Sequence, residues 1–351
     1  MADQSIFTTL LGELQQYKNH DKSIERCKQI IKELELIIDK RIIAYFSCDN
    51  GLDDKSMISD PDALIIENIL SVKSSRKDLV LILHSGGGYA LSAERIIEVC
   101  KSYCARRNDG SKFIVIVPNK AKSAATIVAL AADKIYLRDT AELGPVDPQF
   151  IVIDKSGNMQ IEPAYLYVDA IENIFDLESN NILRKHFGQT KKPLSRLPKE
   201  VKLKVIEQCN YSMYVQAKNE LGLSDSIIEK ISNEQIKQNR NIKKDDFNIF
   251  KDPHITKSHG RLINFSDLEN NGLRKEGIID KLSSLFEGDD SKYKKFDLLL
   301  WELYVRKQQL VNDVGNQILK TIEGSEEFII NLGIKKGQIL QQKKNEDAQT
   351  K

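Results

Sequence analysis

The sequence predicts an α/β fold, a layered core of parallel strands covered by helices, with helical extensions at both ends. Three observations predict it. Strand-like and helix-like stretches alternate at short intervals between residues 41 and 139. Two of the strands, "DLVLILHS" (78–85) and "KFIVIVP" (112–118), are nearly all apolar, the pattern of strands buried on both faces. The intervening helix places Ala93, Ile96, Ile97 and Cys100 at i, i+3, i+4 and i+7, one apolar stripe.

Taken in order, "LLGELQQYKN" and "IERCKQIIKELELIIDK" carry apolar residues at three-to-four spacing and predict helix over 9–40. "RIIAYFSC" (41–48), β-branched and aromatic, reads as a strand, and "DNGLDD" as a turn. Asp60 reads as the cap of a helix opening with Pro61. "SAATIVALAAD" (123–133) predicts a tightly packed helix of small residues, and "KIYLRD" (134–139) a further strand. From about 163 to 245 the chain turns charged and amphipathic, as in "KEVKLKVIEQCNYSMYVQAKNEL", and predicts helices. Residues 260–282 return to strand-turn-helix-turn-strand, 291–341 read as helical, and the tail is too polar to fold alone. The expected units are therefore 1–40 (helical segment), 41–165 (core), 166–250 (helical insertion), 251–290 (return to the core), 291–341 (C-terminal helices) and 342–351 (disordered tail).

Composition narrows the function classes. Charged residues make up 29 % of the 351, yet the net charge is +1, so no strong overall field draws nucleic acid or an anionic membrane. The five cysteines form no framework, and Cys100 and Cys104, four apart, have no second pair or nearby histidine to complete a zinc set. No apolar run approaches the roughly 18 residues of a membrane span, and the N-terminus lacks a secretion signal. Reduced thiols, a cytoplasmic location, no cofactor and no metal are the expectations.

The chemistry concentrates where two strands end. "LHSGGG" (83–88) puts three glycines after a buried strand, which leaves backbone N–H groups free of side chains. Such a loop is a tight crossover, a phosphate cradle or an oxyanion trap; no GxxxxGK[ST] or GxGxxG supports the phosphate option. Ser123 opens the helix after the next strand, where a hydroxyl is commonly a cap. Both loops follow consecutive parallel strands and so open at the same sheet edge, where α/β folds bind ligands. Glycine-lined amides beside a helix-N-terminal serine form an acyl-transfer layout, with Ala124 and Ala125 small enough to admit a carbonyl.

The ordered motifs "LHSGGG…AERI", "VPNKAKSAATIVALAADKIYL" and "AELGPVDPQ" resemble the serine dehydrogenase proteinase family, relatives of the Clp protease proteolytic subunit and of signal peptide peptidase A. The resemblance covers about residues 40–165 and, more faintly, 255–282 through "SHGRLINFSDLENNGL". It implies a ClpP/crotonase-like layered β-β-α spiral core. It also implies a serine endopeptidase with Ser123 as nucleophile and Gly87, Gly88 and the Ala124 N–H as oxyanion hole, and it puts Asp147 in the loop past the site, where the carboxylate either orients a base or satisfies backbone N–H groups between Pro145 and Pro148. His259 falls near the third triad position of Clp-type enzymes and is the candidate base; Lys155, or by order Lys185, is the alternative by analogy with the lysine of signal-peptide peptidases. No histidine lies between Ser123 and His186, so the usual Clp-type position is empty. Gly86 stands where the family has proline, Lys122 where it has methionine, and Ala124 and Ala125 where it has glycines. His84 reads as a structural hydrogen-bonder. Relatives assemble into rings, so a homo-oligomer is expected, acting on soluble peptides or proteins, with an unidentified delivery or activating partner. The other readings are a non-catalytic crotonase-like scaffold and a hydratase acting on an acyl-thioester, for which no acidic pair lies in the right loops.

Overall fold

A computed structural model of the chain describes residues 20–48, 55–153, 159–175, 211–238, 241–252, 260–312, 318–325 and 328–332, with 200, 255 and 258 singly. The alternation between 41 and 139 becomes α/β structure as the pattern predicts. Helix α1 (His20–Ile38) leads into β1 (Arg41–Ser47), α2 (Asp60–Ser71), β2 (Leu79–His84), α3 (Ala90–Arg107) and β3 (Phe113–Val117). A short β4 (Lys120–Ala121), α4 (Ala124–Leu130), β5 (Lys134–Leu137) and β6 (Glu142–Leu143) follow. Next come the hairpin β7 (Gln149–Ile153) and β8 (Met159–Pro163), then α5 (Ala164–Phe175) and α6 (Tyr211–Gln238). The chain continues through β9 (Ile263–Asn264), β10 (Ile279–Lys281), α7 (Asp290–Asn312), β11 (Ile318–Gly324) and β12 (Phe328–Leu332).

The central sheet runs β10-β5-β3-β2-β1-β11-β12. Its strands β10, β5, β3, β2 and β1 are parallel, whereas β11 and β12 join antiparallel. Strand β2 shows why it is apolar throughout. Leu79, Leu81 and Leu83 face one core with α2, α3 and α4, while Val80 and Ile82 face a second core with α1 and α7. Each such fully buried side chain contributes about 1.5–3 kcal/mol. A small second sheet, β4-β6-β9, stands beside the ends of β2 and β3.

Two expectations are corrected. The cap of α2 is Ser59, not Asp60: its N–H donates to Asp62 Oδ2 at 2.9 Å, the backward reach of a capping box. Residues 318–324 and 328–332, expected within C-terminal helices, are strands. Their charges mislead, because Lys320 and Glu323 are fully buried and paired inside the protein rather than lining a wet helix face. Only 290–312 of that stretch is helix among the described residues. There too, no helix is long and apolar enough to cross a membrane, and no three His, Cys, Asp or Glu residues gather as a metal site.

Cys27, Cys100 and Cys104 are buried, and burial pushes the Cys27 and Cys104 thiols up to about 12 from 9.0 and that of Cys100 further. A raised folded pKa means stability that is whole below about pH 9 and lost as pH rises toward 12. Peptide-mapped alkylation at pH 8.5 is therefore expected to leave these three thiols unmodified in the native protein and to modify all three in guanidinium. Modification of the native protein at a rate near that of the denatured chain would contradict this burial.

Candidate active site

Two loops leave the ends of β2 and β3, and the backbone stitches them together. Ser85 N–H donates to Lys120 O (3.2 Å) and Lys122 N–H donates to Ser85 O (3.0 Å), a parallel bridge between Ser85 and Ala121. The glycines then run directly against the serine. A Cβ on Gly87 would lie 2.7 Å from Ser123 Cβ, 2.9 Å from Lys122 O and 3.3 Å from Ala124 N, and the φ of Gly87 is +114°. Only glycine allows this approach. Gly88 has a different neighbour: a Cβ there would meet Ile58 N at 2.3 Å and Ile58 O at 2.4 Å. Ile58 N–H donates to Gly87 O (2.8 Å) and Tyr89 N–H to Ile58 O (2.9 Å), so the segment before α2 braces the glycine loop from behind. Gly86 is exposed with open space around its Cβ position.

Ser123 sits at φ 50°, ψ −121°, a conformation that costs a non-glycine residue about 1–3 kcal/mol and is concentrated at functional sites. Its position precedes α4, yet its side chain makes no capping hydrogen bond. The capping alternative raised by the sequence therefore does not apply, and Oγ stays available on a partly exposed residue. A strained serine on a sharp strand-to-helix turn is the arrangement that lifts a hydroxyl out of the backbone's own hydrogen bonding. Ala124 and Ala125 are buried within α4, whose seven residues are all buried.

The amides divide by role. Gly87 N–H, expected as an oxyanion donor, is already committed to Ser85 Oγ at 3.1 Å. The N–H groups of Gly88 and Ala124 make no hydrogen bond to any described residue. They stand at the starts of α3 and α4, where the helix dipole adds positive potential. Of the three amides, those of Gly88 and Ala124 are thus the uncommitted ones.

Lys122, next to Ser123, is held by several partners. Its Nζ lies 2.8 Å from Glu142 Oε1 and donates to Leu143 O (3.3 Å) and Arg261 O (3.2 Å), and its stem crosses Gly144, where a Cβ would be 2.3 Å from Lys122 Cδ. Thr126 adds a second tie: its hydroxyl donates to Ala121 O (2.7 Å) and accepts from Gly144 N–H (3.1 Å). The Ser123 loop, the "GPVDPQ" loop and the chain at Arg261 are one connected unit.

Asp147 is buried in that second loop, whose Val146 N–H donates to Phe250 O at 2.8 Å. It lines a cavity of about 170 Å³ with Tyr165, Asp169, Ser224 and Lys251, and Ser123 is not among the lining residues. Burial, then the Asp147 and Asp169 charges, raises the Tyr165 phenol. His84 lies fully buried on the α1–α7 face, its ring 6.1 Å from Phe46 and 5.1 Å from Tyr304, as a packed core residue. His259, Lys155 and Lys185 lie outside the described residues. Sequence reasoning missed the Ser85 hydroxyl and the brace at Ile58. The first had a signal, a hydroxyl residue just before the glycines; the second, a backbone contact from a distant segment, had none.

Residues 16–162 match the family model of ClpP-like SDH-type serine proteinases. The chain is also similar to two uncharacterized proteins of Methanocaldococcus jannaschii. One, MJ0137, is 31 % identical over 173 residues, 45 % of this chain and 57 % of the relative. The other, MJ1495, is 32 % identical over 124 residues, 34 % of this chain and 40 % of the relative. The match therefore spans well under two thirds of either relative's length. The matched stretch holds the glycine loop, Ser123 and the Asp147 loop, and it is in this stretch that the chain is similar to the ClpP-like SDH-type serine proteinases.

Proposed function

We propose that the protein is a serine endopeptidase that cleaves peptide bonds through an acyl-enzyme at Ser123. One observation carries the reading: a strained serine with an uncommitted hydroxyl sits against Gly87, beside two uncommitted amides. In the step this supports, Ser123 Oγ adds to the scissile carbonyl and gives its proton to a base. The carbonyl oxygen turns negative and is received by the Gly88 and Ala124 N–H groups. Collapse breaks the C–N bond, the amine leaves with the proton, and water then hydrolyses the ester. His259 is the base we favour, because Arg261, two residues on, holds its carbonyl against Lys122, the neighbour of Ser123. An unperturbed imidazole titrates near 6.5, suited to this exchange at neutral pH. Lys155 is the alternative base, and Asp147 the orienting group on the same reading.

A fluorophosphonate probe is expected to label the wild-type protein, and Ser123→Ala to abolish both labelling and hydrolysis of a casein-derived peptide pool. Labelling that survives the substitution overturns the assignment of Ser123. A wild type that takes no label and cleaves no peptide supports the scaffold reading, which the alanines at 124 and 125 favour.

A further inference from the structure

We propose that Ser85 is a positioning residue whose buried hydroxyl fixes the glycine loop against Ser123; the proposal rests on the peptidase reading above. Ser85 bonds to both loops. Its backbone bonds to Lys120 O and Lys122 N–H and so sets the nucleophile loop. Its Oγ accepts from Gly87 N–H at 3.1 Å and so sets the glycine loop. The same Oγ accepts from the Ser47 hydroxyl of β1 at 3.0 Å, which fixes its rotamer. Ser85 and Ser47 are both essentially inaccessible to solvent, so water cannot substitute for either bond without rearrangement.

The consequence for chemistry follows from the geometry of Gly87. A Cβ on Gly87 would lie 2.7 Å from Ser123 Cβ, so a rotation of the 86–87 peptide, which carries the Gly87 N–H, moves the loop relative to Ser123. With the Ser85 hydroxyl in place, Gly87 N–H is directed to Ser85 Oγ, and the N–H groups of Gly88 and Ala124 are the ones left uncommitted. Without it, Gly87 N–H is a buried donor with no acceptor, a state that folded proteins avoid by reorienting the peptide. The oxyanion pair would then lose its setting while the substrate's remote contacts stay as they are. Ser85 touches no reacting atom in this account; it acts through Gly87.

The test uses the full chain and three variants, Ser85→Ala, Ser85→Cys and Ser85→Thr. Cysteine keeps the volume but is a weak acceptor, and guards against an alanine variant that fails to fold; threonine keeps the hydroxyl. Fluorophosphonate labelling of Ser85→Ala and Ser85→Cys is expected to slow about thirty- to a hundredfold, the scale of a misplacement of about 1 Å. Peptide KM is expected to stay within about twofold, so that the loss falls on kcat, and Ser85→Thr to label within about threefold of wild type. Independently of any substrate, NMR of ¹⁵N-glycine-labelled protein is expected to show Gly87 N–H exchanging about tenfold faster in Ser85→Cys than in wild type, and unchanged in Ser85→Thr. Equal labelling rates for wild type and Ser85→Cys, or an unchanged Gly87 exchange rate, overturn the proposal. Failure of the peptidase reading is distinct, because it shows in the wild type, which then takes no label.

Discussion

Alanine in place of Gly87 is expected to silence Ser123, with probe labelling falling at least about a hundredfold, while alanine at the adjacent Gly86 leaves it near wild type. The two glycines are neighbours in sequence and opposites in environment. At 86 a Cβ meets nothing within 4 Å. At 87 it would stand 2.7 Å from Ser123 Cβ and 2.9 Å from Lys122 O, and neither neighbour is the far end of a flexible side chain. Relief must come from the backbone of one loop or the other, and both movements displace the nucleophile from the Gly88 and Ala124 amides. The φ of +114° adds a conformational cost, and overpacking of this kind destabilises by about 1–3 kcal/mol. Gly88→Ala carries the larger structural burden, since its Cβ would overlap the backbone of Ile58 itself. Within one triplet the expected order of stability is thus 86 above 87 above 88, measured by chemical denaturation. The expected order of labelling sets 86 alone apart from the other two. Gly87→Ala protein that labels at the wild-type rate would mean that the contact with Ser123 does not govern its reactivity.

How much of this was legible in the sequence depends on what each residue reports. The apolar runs of β2 and β3 declare strands covered on both sides, and the structure places a core on each face of Leu79–Leu83. The meeting of Ser123 with the glycines was legible because a hydroxyl and side-chain-free residues at consecutive strand ends are conspicuous, and the structure sets Gly87 against Ser123. The division of labour among the amides was not. Whether Gly87 N–H faces a substrate or a neighbouring hydroxyl depends on where one Oγ lies, and spacing carries no trace of that. Strands β11 and β12 were hidden for the reverse reason. In "ILKTIEG" the charges argue for a solvated face, but Lys320 and Glu323 are buried and ion-paired with Asp62 and Lys307, which lie on other elements. Lys122 was likewise read only as a departure from a family pattern, whereas its ion pair with Glu142 ties the Ser123 loop to the next one.

Removal of the Lys320 amine is expected to be among the costliest single changes in the protein, about 3–5 kcal/mol for Lys320→Met. Its Nζ lies 2.6 Å from Asp62 Oδ1 and donates to Asp62 Oδ2 (2.8 Å), Met57 O (2.8 Å) and Ser59 Oγ (3.0 Å), with neither charged side chain exposed. Asp62 Oδ2 also accepts from the Tyr45 hydroxyl (2.8 Å) and from Ser59 N–H (2.9 Å). Burial lowers the pKa of the Lys320 amine, so the site is tolerable only because Asp62 answers the charge. Deleting the amine leaves a carboxylate in the interior with no cation, which is why one-sided removal costs more than the pair itself is worth. The double variant Lys320→Met/Asp62→Asn, which removes both charges and keeps an acceptor for Tyr45, is expected to recover part of the loss; the recovered part measures the coupling. The pair also reaches the site. Met57 and Ser59 flank Ile58, whose backbone bonds to Gly87 and Tyr89, so a loosened 57–59 segment withdraws the brace behind the glycine loop. Lys320→Met is therefore expected to slow labelling of Ser123 even under conditions where denaturation curves show the protein fully folded. A variant within about 1 kcal/mol of wild type that labels normally would show that this buried pair anchors neither the sheet nor the loop.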